Sequence, residues 1–348
     1  MTNSFAGKKV LITGHTGFKG SWLALLLNDL GAEVLGFALP PETTINHFDL
    51  LSLDKKIKHV EGDIRDASLL ASTLNKFQPE FVFHLAAQSL VRPSYDDPTA
   101  TFSTNIMGSA NLLDAVRLCE SVRSLVYITS DKCYENVEWI WGYRENDQLG
   151  GHDPYSASKA AAEIVFSSYV RSFFEQRPSL GAATARAGNV IGGGDWAANR
   201  IIPDCIRAIE ADTPIRLRNP GATRPWQHVL EPLAGYLLLA ANLYEEPKNW
   251  GGAWNFGPST HEVRTVQNVA EVMIGHFGKG SIEIVDSENQ VHEARFLNLN
   301  CDKACHLLGW RPCWNVEKTL EETALWYKAI MNGDDAEQVT LAQIHDFF

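Results

Sequence analysis

The sequence predicts an α/β protein, a doubly wound parallel sheet followed by a smaller mixed α/β C-terminal region. Three observations predict it. Apolar runs of strand length alternate with helical stretches from residue 8 to about residue 190. A glycine-rich turn joins the first strand to the first helix. Beyond about residue 190 the alternation loosens, and glycine and proline gather in "GGGDW", "NPGATRP" and "NFGPST".

In order, "KKVLITG" reads as a buried parallel strand and "SWLALLLNDLGA" as an apolar helix closed by Gly31. "EVLGFAL" and "IKHVEGDI" are the second and third strands. "SLLASTLNKF" is helical, and "PEFVFHLAA" is a fourth strand ending in small residues. "TFSTNIMGSANLLDAVRLCE" is one long helix, followed by the strand "SLVYITS". A further helix runs from about Pro154 to Phe174, and "GAATARAGNVIG" supplies a sixth strand. "PLAGYLLLAANLYE" is a helix of the looser second half. Residues 1–188 are thus expected to form a dinucleotide-binding domain carrying the catalytic helix. Residues 189–348 are expected to form mainly a substrate-binding region, with room to interleave with the first.

The chain has 348 residues, 45% hydrophobic and 21% charged, enough for one large or two ordinary domains. Its net charge of −12 argues against a broad nucleic-acid surface. No apolar run reaches membrane-spanning length, and "MTNSFAGKKVLITG" leaves no room for a signal peptide, so a cytoplasmic location is expected. The six cysteines include no C-x-x-C pair. "CDKACH" (Cys301, Cys305, His306) has no second cluster to complete a metal site, so no metal is expected.

"TGHTGFKG" sets Gly14, Gly17 and Gly20 between strand and helix, where a pyrophosphate can approach the helix N-terminus. The context is that of a Rossmann-like dinucleotide site. "GDIRD" offers Asp63 and Ile64 to an adenine, and "HLAAQS" offers Leu85, Ala86, Ala87 and Gln88 at the carboxyl edge of the sheet. The acid that normally grips the adenosine ribose is missing, because the second strand ends in Phe37, Ala38 and Leu39. No arginine stands in for a 2′-phosphate ligand, and His15 is expected to crowd the phosphate turn. The cofactor reads as NAD, loosely held.

"DPYSASKAAAE" places Tyr155 and Lys159 four apart on one helix face, where an ammonium beside a phenol favours the phenolate. These motifs, with "TNIMGSANLL", "YITS", "RAGNVIGGGDW" and "TRPWQHV", resemble the extended short-chain dehydrogenase/reductase family across nearly the whole chain. The resemblance implies Ser130, Tyr155 and Lys159 as the hydride-transfer group. It also implies that Phe18 and Lys19 line the phosphate turn and that Asn105 supports the helix behind the site.

Asp131 and Lys132 follow Ser130 directly. Family members that only epimerise or reduce generally carry small or apolar residues there. A nucleotide-sugar 4,6-dehydratase also needs a base for the carbon-5 proton and an acid for the departing 6-hydroxyl. The Asp-Lys pair resembles the CDP-glucose branch of those dehydratases rather than the dTDP-glucose branch, which carries Asp-Glu. The implied roles are Asp131 as acid and Lys132 as base, which requires a lowered lysine pKa. Arg200, Arg216, Arg224 and Arg295 match substrate-binding stretches, where arginine forks suit a diphosphate, and Asn189 is a further expected contact. Two other readings compete: a 4-epimerase, opposed by Asp131 and Lys132, and an NAD-sensing regulator, opposed by the intact Ser130, Tyr155 and Lys159. The two long helices have apolar faces wider than one core contact needs, and with the resemblance they imply a homodimer or homotetramer.

Overall fold

The computed structural model describes residues 4–259, 263–285 and 296–348. Seven strands form the central sheet: β1 (Lys9–Thr13), β2 (Glu33–Ala38), β3 (Lys58–Glu61), β4 (Phe81–His84), β5 (Ser124–Ile128), β6 (Gly181–Ala187) and β7 (Gly252–Phe256). Their order is β7-β6-β5-β4-β1-β2-β3, and every neighbouring pair is parallel.

Both faces are covered, as a parallel sheet requires. Side chains alternate across it. Val10 and Ile12 face α1 (Phe18–Asp29) and α5 (Leu230–Glu245), packing with Trp22, Leu26, Leu233 and Leu237. Leu11 and Val82 face α2 (Ala67–Phe77), α3 (Ser109–Leu118) and α4 (Pro154–Ser172), with Leu74, Val116 and Phe166. The winding reverses between β1 and β4, which opens a crevice at the carboxyl ends of the strands.

The second half of the chain enters this sheet directly, because β7 pairs with β6 along its whole length. Outside the sheet it forms three short strand pairs: Val190–Ile191 with Gln227–His228, Thr223–Pro225 with Val263–Thr265, and Ile215–Leu217 with Ile282–Ile284.

The single helix expected over "TFSTNIMGSANLLDAVRLCE" is broken. A helical turn at Pro98–Phe102 leads into a π-turn at Ser103–Gly108, and only then does α3 begin. The wider turn carries Asn105, whose amide reaches both the end of β4 and the start of α4. Among the described residues no helix is long and apolar enough to cross a membrane.

Candidate active site

One large cleft, about 620 Å³, lies over the crevice. At its floor the chain leaves β1 through Gly14, whose φ is +79°; a Cβ there would stand 2.7 Å from the Ala86 backbone nitrogen. A Cβ on Gly20 would fall 2.1 Å from the Gly14 carbonyl oxygen, so the helix start can pack onto the turn only as glycine. Gly14, Gly17, Phe18, Lys19 and Gly20 therefore line a backbone cradle at the N-terminus of α1, the environment that suits a diphosphate. Asp63, Ile64, Leu85, Ala86 and Ala87 line the same wall. The Asp63 carboxylate is engaged by Arg65, which holds it below the usual carboxylate range.

Two expectations change here. Gln88 does not line the cleft: its amide folds back onto Leu90 and Thr101, and its backbone N–H donates to Asn105. His15 does not crowd the turn. Its ring is fully buried against Phe48 and His59, with Nε2 2.8 Å from His59 Nδ1, and it occupies the space that a side chain on Gly36 would need. Burial lowers the His15 pKa to about 3, so the ring is neutral.

The carboxyl end of β5 delivers the chemistry. Asp153 caps α4 by accepting from the Ser156 N–H at 2.9 Å, and Pro154 occupies the first helical turn. This places Tyr155 and Lys159 in the cleft. Across from them Ser130 begins a 3₁₀ turn, Asp131–Cys133, and accepts from the Lys132 N–H at 3.2 Å. The Ser130 hydroxyl donates to Asp131 Oδ1 at 2.9 Å, and Ser130 and Tyr155 line the same cleft. The tight turn is possible because residue 188 is glycine; a Cβ there would be 2.0 Å from Asp131 Oδ2.

Burial dominates the electrostatics. It raises the Asp131 carboxyl above its ordinary range against the opposing Lys132 and Lys19 charges, and so favours the protonated acid. It lowers Lys159 to about 8, helped by the Lys19 charge. It lowers Lys19 to about 8 as well, helped by Arg200. The Tyr155 phenol is pushed up to about 12, and what opposes that shift first is the Ser130 hydroxyl, not Lys159. The expected lowering of the phenol by Lys159 is therefore not what these side-chain positions give.

Behind this surface lies a buried ion pair that no local motif announced. Glu163, one turn beyond Lys159, meets Arg186 of β6 through two bonds of 2.9 Å. Thr129 and Thr184 donate to the same carboxylate, and Arg186 also donates to the Tyr134 hydroxyl at 2.8 Å. The pair ties α4, β5, β6 and the turn after Asp131 into one block. Removing one partner would strand a buried charge, a loss of about 3–5 kcal/mol.

At the far end Asn189, Arg200, Arg216 and Arg224 all line the cleft. Asn189 holds φ +41°, a left-handed conformation that asparagine tolerates. Arg200 donates to Asp195 at 2.9 Å, and Arg216 pairs with Glu283 near the surface. Arg295 lies outside the described residues. Arg92, Asn199 and Arg218 also line the cleft and escaped the sequence reading, because no motif marks them; Trp196, which closes "RAGNVIGGGDW", lines it too. Among the described residues no group of three or more His, Cys, Asp or Glu side chains could hold a metal ion.

A family model described as GDP-mannose 4,6 dehydratase matches residues 11–323. The chain belongs to this family. Within it, the chain is 46% identical to a CDP-glucose 4,6-dehydratase of Salmonella typhimurium, over 99% of this chain and 97% of the relative. A UDP-glucose 4-epimerase of Thermus thermophilus, solved with NAD, superposes with a TM-score of 0.80 at 25% identity, covering 92% of this chain and 99% of that one. A dTDP-glucose 4,6-dehydratase of Streptomyces venezuelae gives 0.79 at 24% identity, covering 94% and 99%, and supports the fold alone. Both solved structures thus share the fold described above.

Proposed function

We propose that the protein is an NAD-dependent CDP-glucose 4,6-dehydratase that forms CDP-4-dehydro-6-deoxyglucose and water and returns the hydride to the same sugar. The observation that carries this reading is the Ser130 hydroxyl, bonded to Asp131 in the cleft that Lys132, Tyr155 and Lys159 also line. That arrangement adds proton-transfer groups to a redox site. The relative at 46% identity supports cytosine as the base.

Bound NAD would supply the hydride acceptor for carbon 4 and the hydride donor for carbon 6. Ser130 orients the 4-hydroxyl and Tyr155 removes its proton. Lys132 takes the carbon-5 proton, made acidic by the new ketone. Asp131, its pKa raised by burial, gives its proton to the 6-oxygen, which leaves as water. Lys132 then returns the proton to carbon 5. Gly14, Gly17 and Lys19 hold the cofactor diphosphate. Arg200, Arg216 and Arg224 serve the nucleotide sugar, so residues 189–348 are mainly its binding region, in a cytoplasmic enzyme. With CDP-[4-²H]glucose, deuterium should appear in the carbon-6 methyl group; complete loss of the label to solvent would contradict internal return.

NAD should be held loosely. Ala38 lines the cleft where a ribose-gripping carboxylate would sit, and such charge-assisted bonds are worth about 1.5–3 kcal/mol each. Purified protein should carry little NAD, and Ala38→Asp should tighten binding by about tenfold or more in a titration. One NAD per chain surviving dialysis would overturn this. Phe37→Asp would instead disrupt the core, and His15→Gly should not tighten binding, because neither side chain faces the cofactor.

The assembly is expected to be a dimer or larger even oligomer. Phe102, Met107, Leu118, Ile164 and Phe173 are exposed apolar side chains on and around α3 and α4. Sedimentation showing only monomer at micromolar concentration would contradict it.

A further inference from the structure

Asp131 borders two spaces. One face lines the large cleft, and the other lines a separate cavity of about 10 Å³ shared with Gly188, Pro225, Gly257, Pro258, Asn298 and Leu299. That volume is about what one water molecule occupies. The carboxylate oxygen facing Gly188 is Oδ2, while Oδ1 is already bonded to Ser130. Asn298 is only 6% exposed, and its side-chain oxygen is buried without a hydrogen-bond partner among the described residues. Its backbone is fixed, because its carbonyl accepts from the Tyr143 N–H at 2.8 Å. Native proteins rarely leave such an oxygen unsatisfied, and a bridging water is the usual remedy.

We propose that this cavity binds one water molecule, which links the Asp131 carboxyl to the Asn298 amide oxygen and makes Asn298 a positioning residue for the acid. The inference rests on the reading of Asp131 as the proton donor. The water donates one O–H to Asp131 Oδ2 and the other to the Asn298 oxygen, so the acidic proton of Asp131 stays on the cleft side, where it passes to the departing 6-oxygen. Both donations persist once the proton has gone. The bridge thus holds the carboxyl in one orientation through both states, from the side opposite the sugar. Nothing in the sequence pairs these residues, which lie on separate loops.

The test compares Asn298→Leu, which fills the cavity and removes the acceptor, with Asn298→Ser, which leaves room for water and a hydroxyl to bind it. Single-turnover oxidation, followed by reduced-nicotinamide absorbance with NAD and CDP-glucose, should change less than twofold in either variant. Dehydration, followed by the 4-keto-6-deoxy product, should fall about tenfold in Asn298→Leu and recover at least partly in Asn298→Ser. Equal loss of oxidation and dehydration, equal loss in both variants, or unchanged dehydration in Asn298→Leu would each overturn the water site. Asp131→Asn separates the two claims. If it blocks dehydration while Asn298→Leu does not, only the water site fails. If Asp131→Asn dehydrates normally, the acid assignment fails.

Discussion

Lys132→Ala is expected to abolish dehydration while leaving oxidation at carbon 4 intact. The Lys132 side chain sits one residue beyond the Ser130–Asp131 bond, on a 3₁₀ turn that opens into the cleft beside Tyr155 and Lys159. In the proposed mechanism oxidation uses Ser130, Tyr155 and Lys159, none of which the alanine touches. Loss of a general base removes about 100- to 10,000-fold of rate from its own step alone. Reduced nicotinamide should therefore build up on adding CDP-glucose, with no 4-keto-6-deoxy product on the same timescale. The carbon-5 proton should also stop exchanging with deuterated solvent. A variant that dehydrates at the normal rate, or still exchanges carbon 5, places the base elsewhere.

Asp131→Asn is expected to lower dehydration by about 100- to 10,000-fold with the carbon-4 ketone still forming. The amide matches the carboxyl in shape, so Gly188 still accommodates it and Ser130 can still donate to its oxygen at the present Oδ1 position. What disappears is a proton that can be given away. Carbon-5 exchange should persist in this variant, because Lys132 is intact, and that contrast separates the acid from the base. Burial raises the Asp131 pKa, so the wild-type acid is present below that raised value and is lost as pH climbs through it. The asparagine variant's residual rate should lack that alkaline loss.

The candidate site was legible in the chain because the groups proposed for it are neighbours in sequence. Ser130, Asp131 and Lys132 are consecutive, Tyr155 and Lys159 share one helix face, and the glycines of the phosphate turn answer to short-range steric demands. Strand identities were legible for the same reason: each is a local apolar run. The entry of β7 into the main sheet was not, because "GAWNF" looks like any short strand until β6 offers it an edge. The Glu163–Arg186 pair and the Asp131–Asn298 cavity join residues that only folding brings together. His15 misled because proximity in sequence to the phosphate turn does not fix where a ring points; Gly36 leaves room for it underneath β2. Gln88 misled in a related way, since Asn105 on an unforeseen π-turn holds its backbone while its amide is bonded to Leu90 and Thr101.

The most direct test of the central claim is incubation of the protein with NAD and, separately, with CDP-glucose, dTDP-glucose, UDP-glucose and GDP-mannose. Product would be followed by the alkaline absorbance of a 4-keto-6-deoxy sugar and identified by NMR. CDP-glucose should give CDP-4-dehydro-6-deoxyglucose with no net reduction of NAD, and the other three should react far more slowly. Conversion of CDP-glucose to its carbon-4 epimer, or preferred dehydration of another nucleotide sugar, would contradict the account.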